Sequence, residues 1–187
     1  MTGSSGPREG VAPAKQALRA TLLAARRGLS PEALTAARTA VAAAVLAGLT
    51  VDEVVVAAYE PLRTEPGSTA LLRALHDSGR RILVPVTLPD RDLDWAPWTP
   101  AGAGSPLGRD AIGTADVVLV PALAVGRHDG ARLGRGGGSY DRALPRARGR
   151  LVALLHDGEW VDEVPAEAHD RPVQAAVTPS GWRTVPR

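Results

Sequence analysis

The spacing of apolar residues changes period along the chain. Between residues 15 and 29, Leu18, Leu22, Ala25 and Leu29 recur at helical intervals and set Lys15, Arg19 and Arg26 on a common flank. The segment "LSPEAL" then reads as a helix start, with Ser30 as N-cap, Pro31 at the first helical position and Glu32 in the first turn. Leu34, Val41 and Val45 give this second helix its apolar face, and Gly48 marks its end. From residue 54 the pattern shortens to unbroken apolar runs of strand length: "VVVAAY" (54–59), "RILVPV" (81–86), "VVLVPAL" (117–123), "LVALL" (151–155) and "AAVT" (175–178). Such runs belong to strands covered on both faces. A helix over 69–78, capped by Ser68 and stopped by Gly79, separates the first two. The proline-rich segment 93–108 is expected to add an edge strand before a long loop. Strands alternating with helices predict an α/β fold, an open, mostly parallel twisted sheet flanked by helices in a Rossmann-like three-layer α/β/α arrangement.

Composition narrows the classes. At 187 residues the chain suffices for one domain with a sizeable core. Residues 1–13, rich in Gly, Ser and Pro, are expected to be a disordered lead-in, with a single domain over 14–187. The absence of cysteine excludes disulfides, thiolate zinc sites and a thiol nucleophile. No apolar run approaches the roughly 18 residues of a membrane span. The basic residues are dispersed and the net charge is only +2. A cytoplasmic monomer without nucleic-acid or membrane partners is therefore expected. Among 22 basic side chains the only lysine is Lys15. Its ammonium is a compact point charge suited to a phosphate oxygen, where arginine is a planar fork; an ordinary exposed helix residue is the other reading.

Candidate chemistry gathers in "GARLGRGGGSYDR", residues 130–142. This loop follows the carboxyl end of the 117–123 strand, and "SYDRALPRA" can start a helix on its far side. Ligands of open α/β sheets bind at that end of the strands. A glycine-rich turn entering a helix offers backbone N–H groups to an anion, and missing β-carbons admit phosphate oxygens closely. As a dinucleotide fingerprint the loop is weak, since "GRGGGS" ends in Ser139, and no Gly-Lys-Ser/Thr of a Walker loop occurs. Arg132 and Arg135 beside the glycines, with Asp141 at the helix start, can hold a triphosphate and its Mg²⁺. A slack surface turn is the alternative.

The longer segment "LVPALAVGRHDGARLGRGGGSYDRAL" resembles the signature of the 5-formyltetrahydrofolate cyclo-ligase family. Three further stretches extend the resemblance in the family's order over about residues 15–181: "KQALRATLLAARRGLS", "AAYEPLRTEPGS" and "VPAEAHDRPVQAAVTPSG". It implies ATP- and Mg²⁺-dependent cyclisation of 5-formyltetrahydrofolate to 5,10-methenyltetrahydrofolate with release of ADP and phosphate. The first helix, through Lys15, Gln16, Ala17, Leu18 and Arg19, would meet the ATP phosphates. Arg132, Leu133, Gly134, Arg135, Gly136, Gly137, Gly138, Ser139 and Tyr140 would form the nucleotide loop, with 135–139 touching folate as well. Lys15 and Arg135 match catalytic positions, Glu60 and Glu65 the folate turn, and Asp141 and Asp170 the Mg²⁺ carboxylates. His156 and His169 have no metal-ligand spacing and read as structural, while Tyr59 and Trp98 are candidates to stack on the pterin or to pack. Two departures stand out: Ser139-Tyr140-Asp141 where the family has Tyr-Tyr-Asp, and Val125-Gly126 where it has Phe-Asp. A binding module of the same fold without turnover is the rival reading, and a Rossmann-type oxidoreductase is disfavoured by the imperfect glycine motif.

Overall fold

The computed structural model describes residues 10–166 and 170–186. Helix α1 (Val11–Arg27) is followed by α2 (Pro31–Gly48), where Ser30 Oγ accepts the Ala33 N–H at 3.1 Å and Pro31 opens the first turn. Strand β1 (Val55–Ala57) leads to α3 (Thr69–Asp77), capped by Ser68 Oγ on the Leu71 N–H at 3.0 Å. Then come β2 (Arg81–Thr87), β3 (Leu93–Thr99), β4 (Gly102–Ala103), β5 (Val117–Pro121), β6 (Ala124–Gly126) and β7 (Arg132–Leu133). The short helix α4 (Ser139–Ala143) precedes β8 (Arg150–Leu154), β9 (Trp160–Val161), β10 (Ala175–Thr178) and β11 (Gly181–Thr184).

Eight strands form one sheet in the order β11-β10-β8-β5-β1-β2-β3-β4. Its middle, β10, β8, β5, β1 and β2, is parallel, and β11, β3 and β4 run antiparallel at the two edges. The apolar runs are buried on both faces because side chains alternate along a strand. In β5, Val117 and Leu119 join Val41, Val45, Leu72 and Leu75 under α2 and α3, whereas Val118 and Val120 join Trp95, Ile112 and Leu144 on the other side. That second layer is thin. It is built from α4 and two 3₁₀ turns, Arg109–Thr114 and Leu144–Arg146, because the glycines and prolines of 100–108 and Pro145 interrupt any longer helix.

Two local expectations shift. Helix α1 starts at Val11, so residues 11–13, read as lead-in, are helical; residues 1–9 and His169 lie outside the described residues. Ala25 and Leu29 are exposed, and α1 rests Leu18, Leu22 and Leu23 on a separate cluster of Leu123, Leu133 and Val164. That cluster belongs to a small sheet, β7-β6-β9, whose strands of two or three residues are too short to show a period. The segment 93–108 supplies the expected edge: β3, paired along its length with β2 from Ile82↔Trp98 to Thr87↔Leu93, and outside it the two-residue β4. Among the described residues no helix is long and apolar enough to cross a membrane.

Buried Asp92 ties the second layer to the β2–β3 hairpin. Its Oδ1 accepts from Arg146 Nη2 at 2.7 Å and from the Leu93 N–H at 2.7 Å, and its Oδ2 from Arg109 Nη1 at 3.2 Å. The Arg146 hydrogen bond, foremost, holds this carboxyl below the usual range. A carboxyl depressed in the folded state contributes stability above its unfolded pKa of about 4, lost as pH falls through the lower folded value. Asp92→Asn is expected to cost about 2 kcal/mol at pH 7. Urea unfolding across pH 7 to 3 should show the variant and the parent converging at the acid end; a constant gap would refute the linkage.

Candidate functional site

The carboxyl ends of the central strands open into a cleft of about 300 Å³. Tyr59 beyond β1, Pro85 and Thr87 of β2 and Pro121 of β5 line it, with Leu62, Leu93, Glu60 and Glu65. Loop residues Arg135, Gly136, Gly137, Gly138, Ser139 and Tyr140 close its other side. Behind that loop a second cavity, of about 210 Å³, is lined by Ala12, Lys15, Arg19 and Asp170. Arg132, Gly134, Gly136, Gly138 and Asp141 border both spaces. The glycine segment is thus a thin wall between two cavities.

Cations converge on the smaller cavity. Lys15 Nζ lies 2.6 Å from Asp170 Oδ2, Arg19 Nε donates to Gly134 O at 2.9 Å, and Arg132 pairs with Asp141 while donating to Pro121 O at 3.2 Å. Lys15 is 7% exposed, so it does not sit on an exposed helix flank. Lys15, Arg19 and Arg26 do share one face of α1, and that face is turned inward because each head group has an acceptor in the body of the protein. The remaining helix candidates do not join them: Gln16 and Ala17 are exposed and border neither cavity, and Leu18 packs on the small sheet. Leu133 is fully buried in that same cluster. Arg135 is exposed on the cleft side of the loop.

Asp141 and Asp170 fit Mg²⁺. Both offer hard oxygen donors to one cavity, and among the described residues no group of three His, Cys, Asp or Glu forms a closed metal cage. An ion that keeps several waters and takes phosphate oxygens needs only one or two carboxylates.

The loop glycines fall into two kinds. Gly136 and Gly138 have φ of 94° and 75°, left-handed conformations that β-carbons disfavour. Gly137 has no such need, and a β-carbon there would meet nothing within 4 Å. Fold geometry leaves Gly137 free to carry a side chain, so its bareness points to a ligand that approaches the backbone. Helix α4 spans only Ser139–Ala143, so little helix dipole stands behind the loop. Charge for an anion comes from Lys15, Arg19 and Arg132 instead.

The larger cleft has an acidic and aromatic wall. Glu65 is 4% exposed, and its Oε2 accepts the Leu62 N–H at 2.8 Å. Glu60 is exposed at the rim. The hydroxyls of Tyr59 and Tyr140 are buried without a partner among the described residues. Burial, foremost, pushes both phenols up, well above their ordinary value for Tyr59, and the Glu65 charge adds to it, so both stay protonated. Tyr59 borders the cleft, whereas Trp98 is a core residue, edge-on to His76 at 6.3 Å.

Sequence reasoning missed a buried polar network beside the cleft. Arg26 Nε and Nη2 meet Glu159 Oε1 and Oε2 at 2.6 and 2.7 Å, and Nη2 also donates to Ala122 O at 2.6 Å. Glu159 Oε2 further accepts the His156 N–H at 2.7 Å, and His156 Nε2 lies 3.0 Å from Thr64 O. His156 is structural, as its spacing suggested. The helical phase that Arg26 shares with Lys15 and Arg19 was a usable signal; Glu159 carried none.

The family model described as 5-formyltetrahydrofolate cyclo-ligase matches residues 11–179. A 5-formyltetrahydrofolate cyclo-ligase from Mycolicibacterium smegmatis is 41% identical, covering 88% of this chain and 93% of its own length. One from Escherichia coli is 41% identical over 35% of this chain and 37% of its own. In fold, the chain is similar to 5,10-methenyltetrahydrofolate synthetases from Aquifex aeolicus and Mycoplasma pneumoniae. The first has a TM-score of 0.77 and 24% identity, covering 92% of this chain and 93% of that one. The second has 0.74 and 21%, covering 88% and 98%.

Removing one partner of a buried ion pair leaves the other charge unpaired. Arg26→Met is therefore expected to cost about 3–5 kcal/mol in chemical denaturation, and the double variant Arg26→Met/Glu159→Met to recover most of it. A double variant as unstable as the single one would overturn this account.

Proposed function

Because the chain belongs to the 5-formyltetrahydrofolate cyclo-ligase family, we propose that its two cavities are the folate and nucleotide sites of one ATP- and Mg²⁺-dependent cyclisation, carried out by a single domain that begins with helix α1. 5-Formyltetrahydrofolate occupies the 300 Å³ cleft. Glu65, anchored by the Leu62 N–H through Oε2, accepts from the amino-pyrimidine edge of the pterin. Tyr59 borders the same space as an aromatic surface. The triphosphate enters the smaller cavity, where Lys15 and Arg19 meet its oxygens and the loop N–H groups cradle it. Asp141 and Asp170 would hold Mg²⁺, whose charge offsets that of the phosphates.

The reaction then needs mainly positioning and charge neutralisation. The N5-formyl oxygen attacks the γ-phosphorus in line, the β,γ-bridge bond breaks and ADP leaves. N10 adds to the formyl carbon, its proton is lost and the carbon–oxygen bond breaks, releasing phosphate and the 5,10-methenyl ring. An amide-like oxygen leaves poorly until it is phosphorylated, which explains the use of ATP. Arg135, on the cleft side of the loop, is placed to meet charge that builds on the transferred group. The observation that carries this reading is the shared border: Gly134, Gly136 and Gly138 line both cavities, so formyl oxygen and γ-phosphate can come into contact where the two spaces adjoin at the edge of a strip without side chains.

Purified protein with 5-formyltetrahydrofolate and MgATP should generate the methenyl product, followed by its absorbance. Binding of both ligands without product would favour the non-catalytic binding module, for which Ser139 in place of the family tyrosine is the supporting observation. Gly137→Ala separates ligand space from fold. Its melting temperature should match the parent's, because the new methyl meets no atom, while kcat/KM falls by about tenfold or more from crowding at the reacting groups. Unchanged kinetics would place the substrates away from the loop.

A further inference from the structure

The turn that carries Glu65 is held by side chains that no motif contains. All four of its carbonyls, from residues 62 to 65, are taken. Arg38 of α2 donates from Nη2 to Leu62 O at 3.2 Å and to Arg63 O at 3.0 Å, and from Nε to Glu65 O at 3.1 Å. His156, in the segment after β8, takes the remaining one, Thr64 O, at 3.0 Å through Nε2. Within the turn, the Glu65 N–H returns to Leu62 O at 3.0 Å and the Glu65 carboxylate accepts the Leu62 N–H at 2.8 Å. A guanidinium is a rigid planar fork, so three carbonyls on one arginine fix the shape of the turn as well as its position.

Two different elements therefore meet at the turn. Helix α2, whose start is set by Ser30 and Pro31, supplies Arg38. The loop behind β8 supplies His156, whose own N–H is bonded to Glu159, the partner of Arg26 on α1. We propose that Arg38, with His156, is a positioning residue for folate: it touches no substrate and acts by holding the Glu65 carboxylate in the cleft. The proposal rests on the reading of Glu65 as the folate-binding carboxylate. It adds a determinant of folate affinity outside the glycine loop, on an element that takes no part in the nucleotide site.

Arg38 is half-buried at the edge of α2, and its alkyl stem is not part of the apolar core, so truncating it should leave the fold intact. Arg38→Ala, Arg38→Lys and His156→Gln are compared with the parent for KM of each substrate, kcat and melting temperature. A freed turn should raise KM for 5-formyltetrahydrofolate by about tenfold in Arg38→Ala, with KM for ATP within about twofold, because a contact made equally in ground and transition states affects KM alone. Arg38→Lys should fall between the two, since a single ammonium cannot span three carbonyls. Millimolar guanidinium added to Arg38→Ala should lower the folate KM again, an effect that a general loss of stability would not show. Equal rises in both KM values, or an unchanged folate KM in a parent enzyme that turns over, would overturn the positioning role alone. A parent that binds no 5-formyltetrahydrofolate would overturn the functional reading and this proposal together.

Discussion

The bidentate ion pair between Arg26 and Glu159 is the interaction on which the geometry of the site depends. Helix α1 brings the lysine and an arginine to the smaller cavity behind the loop, yet its apolar residues rest on the small three-stranded sheet and not on the main core. Its bearing on the rest of the protein is polar: Arg26 on Glu159 and Ala122 O, Arg19 on Gly134 O, Lys15 on Asp170. Ala122 directly follows β5, so the helix is indexed to the strand from which the glycine loop is reached. A buried ion pair is a poor source of net stability, because desolvation cancels much of its attraction. Its use here is registry. An apolar contact would let α1 slide or rotate by a fraction of a turn, whereas a fork-to-fork pair fixes one orientation and thereby the reach of Lys15 and Arg19.

The glycine loop converts that fixed helix into a two-sided site. Gly134 accepts from Arg19 through its carbonyl, and a β-carbon there would lie 2.8 Å from Arg132 Nη1, so the chain at this point is already packed between two guanidinium groups. Gly136 and Gly138 then turn the backbone through left-handed conformations, and Gly137 between them is bare on its open side. Conformation, crowding and ligand space thus demand glycine at different positions within one short run. The buried Tyr59 phenol and a backbone-anchored carboxylate on the other wall make the cleft both less polar and more directional than the cation-lined cavity behind it. Under the proposed function, that asymmetry sorts a flat, partly aromatic molecule to one side and a polyanion to the other.

The sheet was legible because its strands are buried on both faces and leave uninterrupted apolar runs; β5 and β8 were placed to within a residue or two. The loop was legible because glycine, arginine and aspartate recur there at close spacing. Helix α1 was found but its environment was not: the inward-facing cations looked like a solvated flank, since nothing in the chain near Lys15 announces Asp170, 155 residues on. The residues that hold the site in shape were the least visible. Arg38, His156 and Glu159 are polar, lie far apart in sequence and act through backbone carbonyls and a single carboxylate, which leave no pattern to detect. The small sheet escaped for a simpler reason, its strands being shorter than any periodicity.

The two departures from the family pattern have different physical weight. At residue 126 the chain has glycine where the family has aspartate, and a β-carbon there would lie 2.5 Å from Asp129 Oδ1. The space beside the backbone is already filled by Asp129, which accepts the Ala131 N–H at 3.0 Å and closes the turn leading into β7. Glycine at 126 and aspartate at 129 are therefore one local solution, and neither borders the two cavities of the site. Ser139 is different, because it borders the cleft itself. Tyr140 beside it also lines the cleft, but its ring stands edge-on to Trp95 at 6.4 Å and packs against the core beneath. Tyr59, across the cleft, is then the aromatic surface against which a pterin can be set, and its ring is fixed by the same burial that keeps its hydroxyl protonated. Under the proposed function, affinity for a flat substrate rests largely on the wall formed by Tyr59 and the Glu65 turn, and so on whatever holds that turn still.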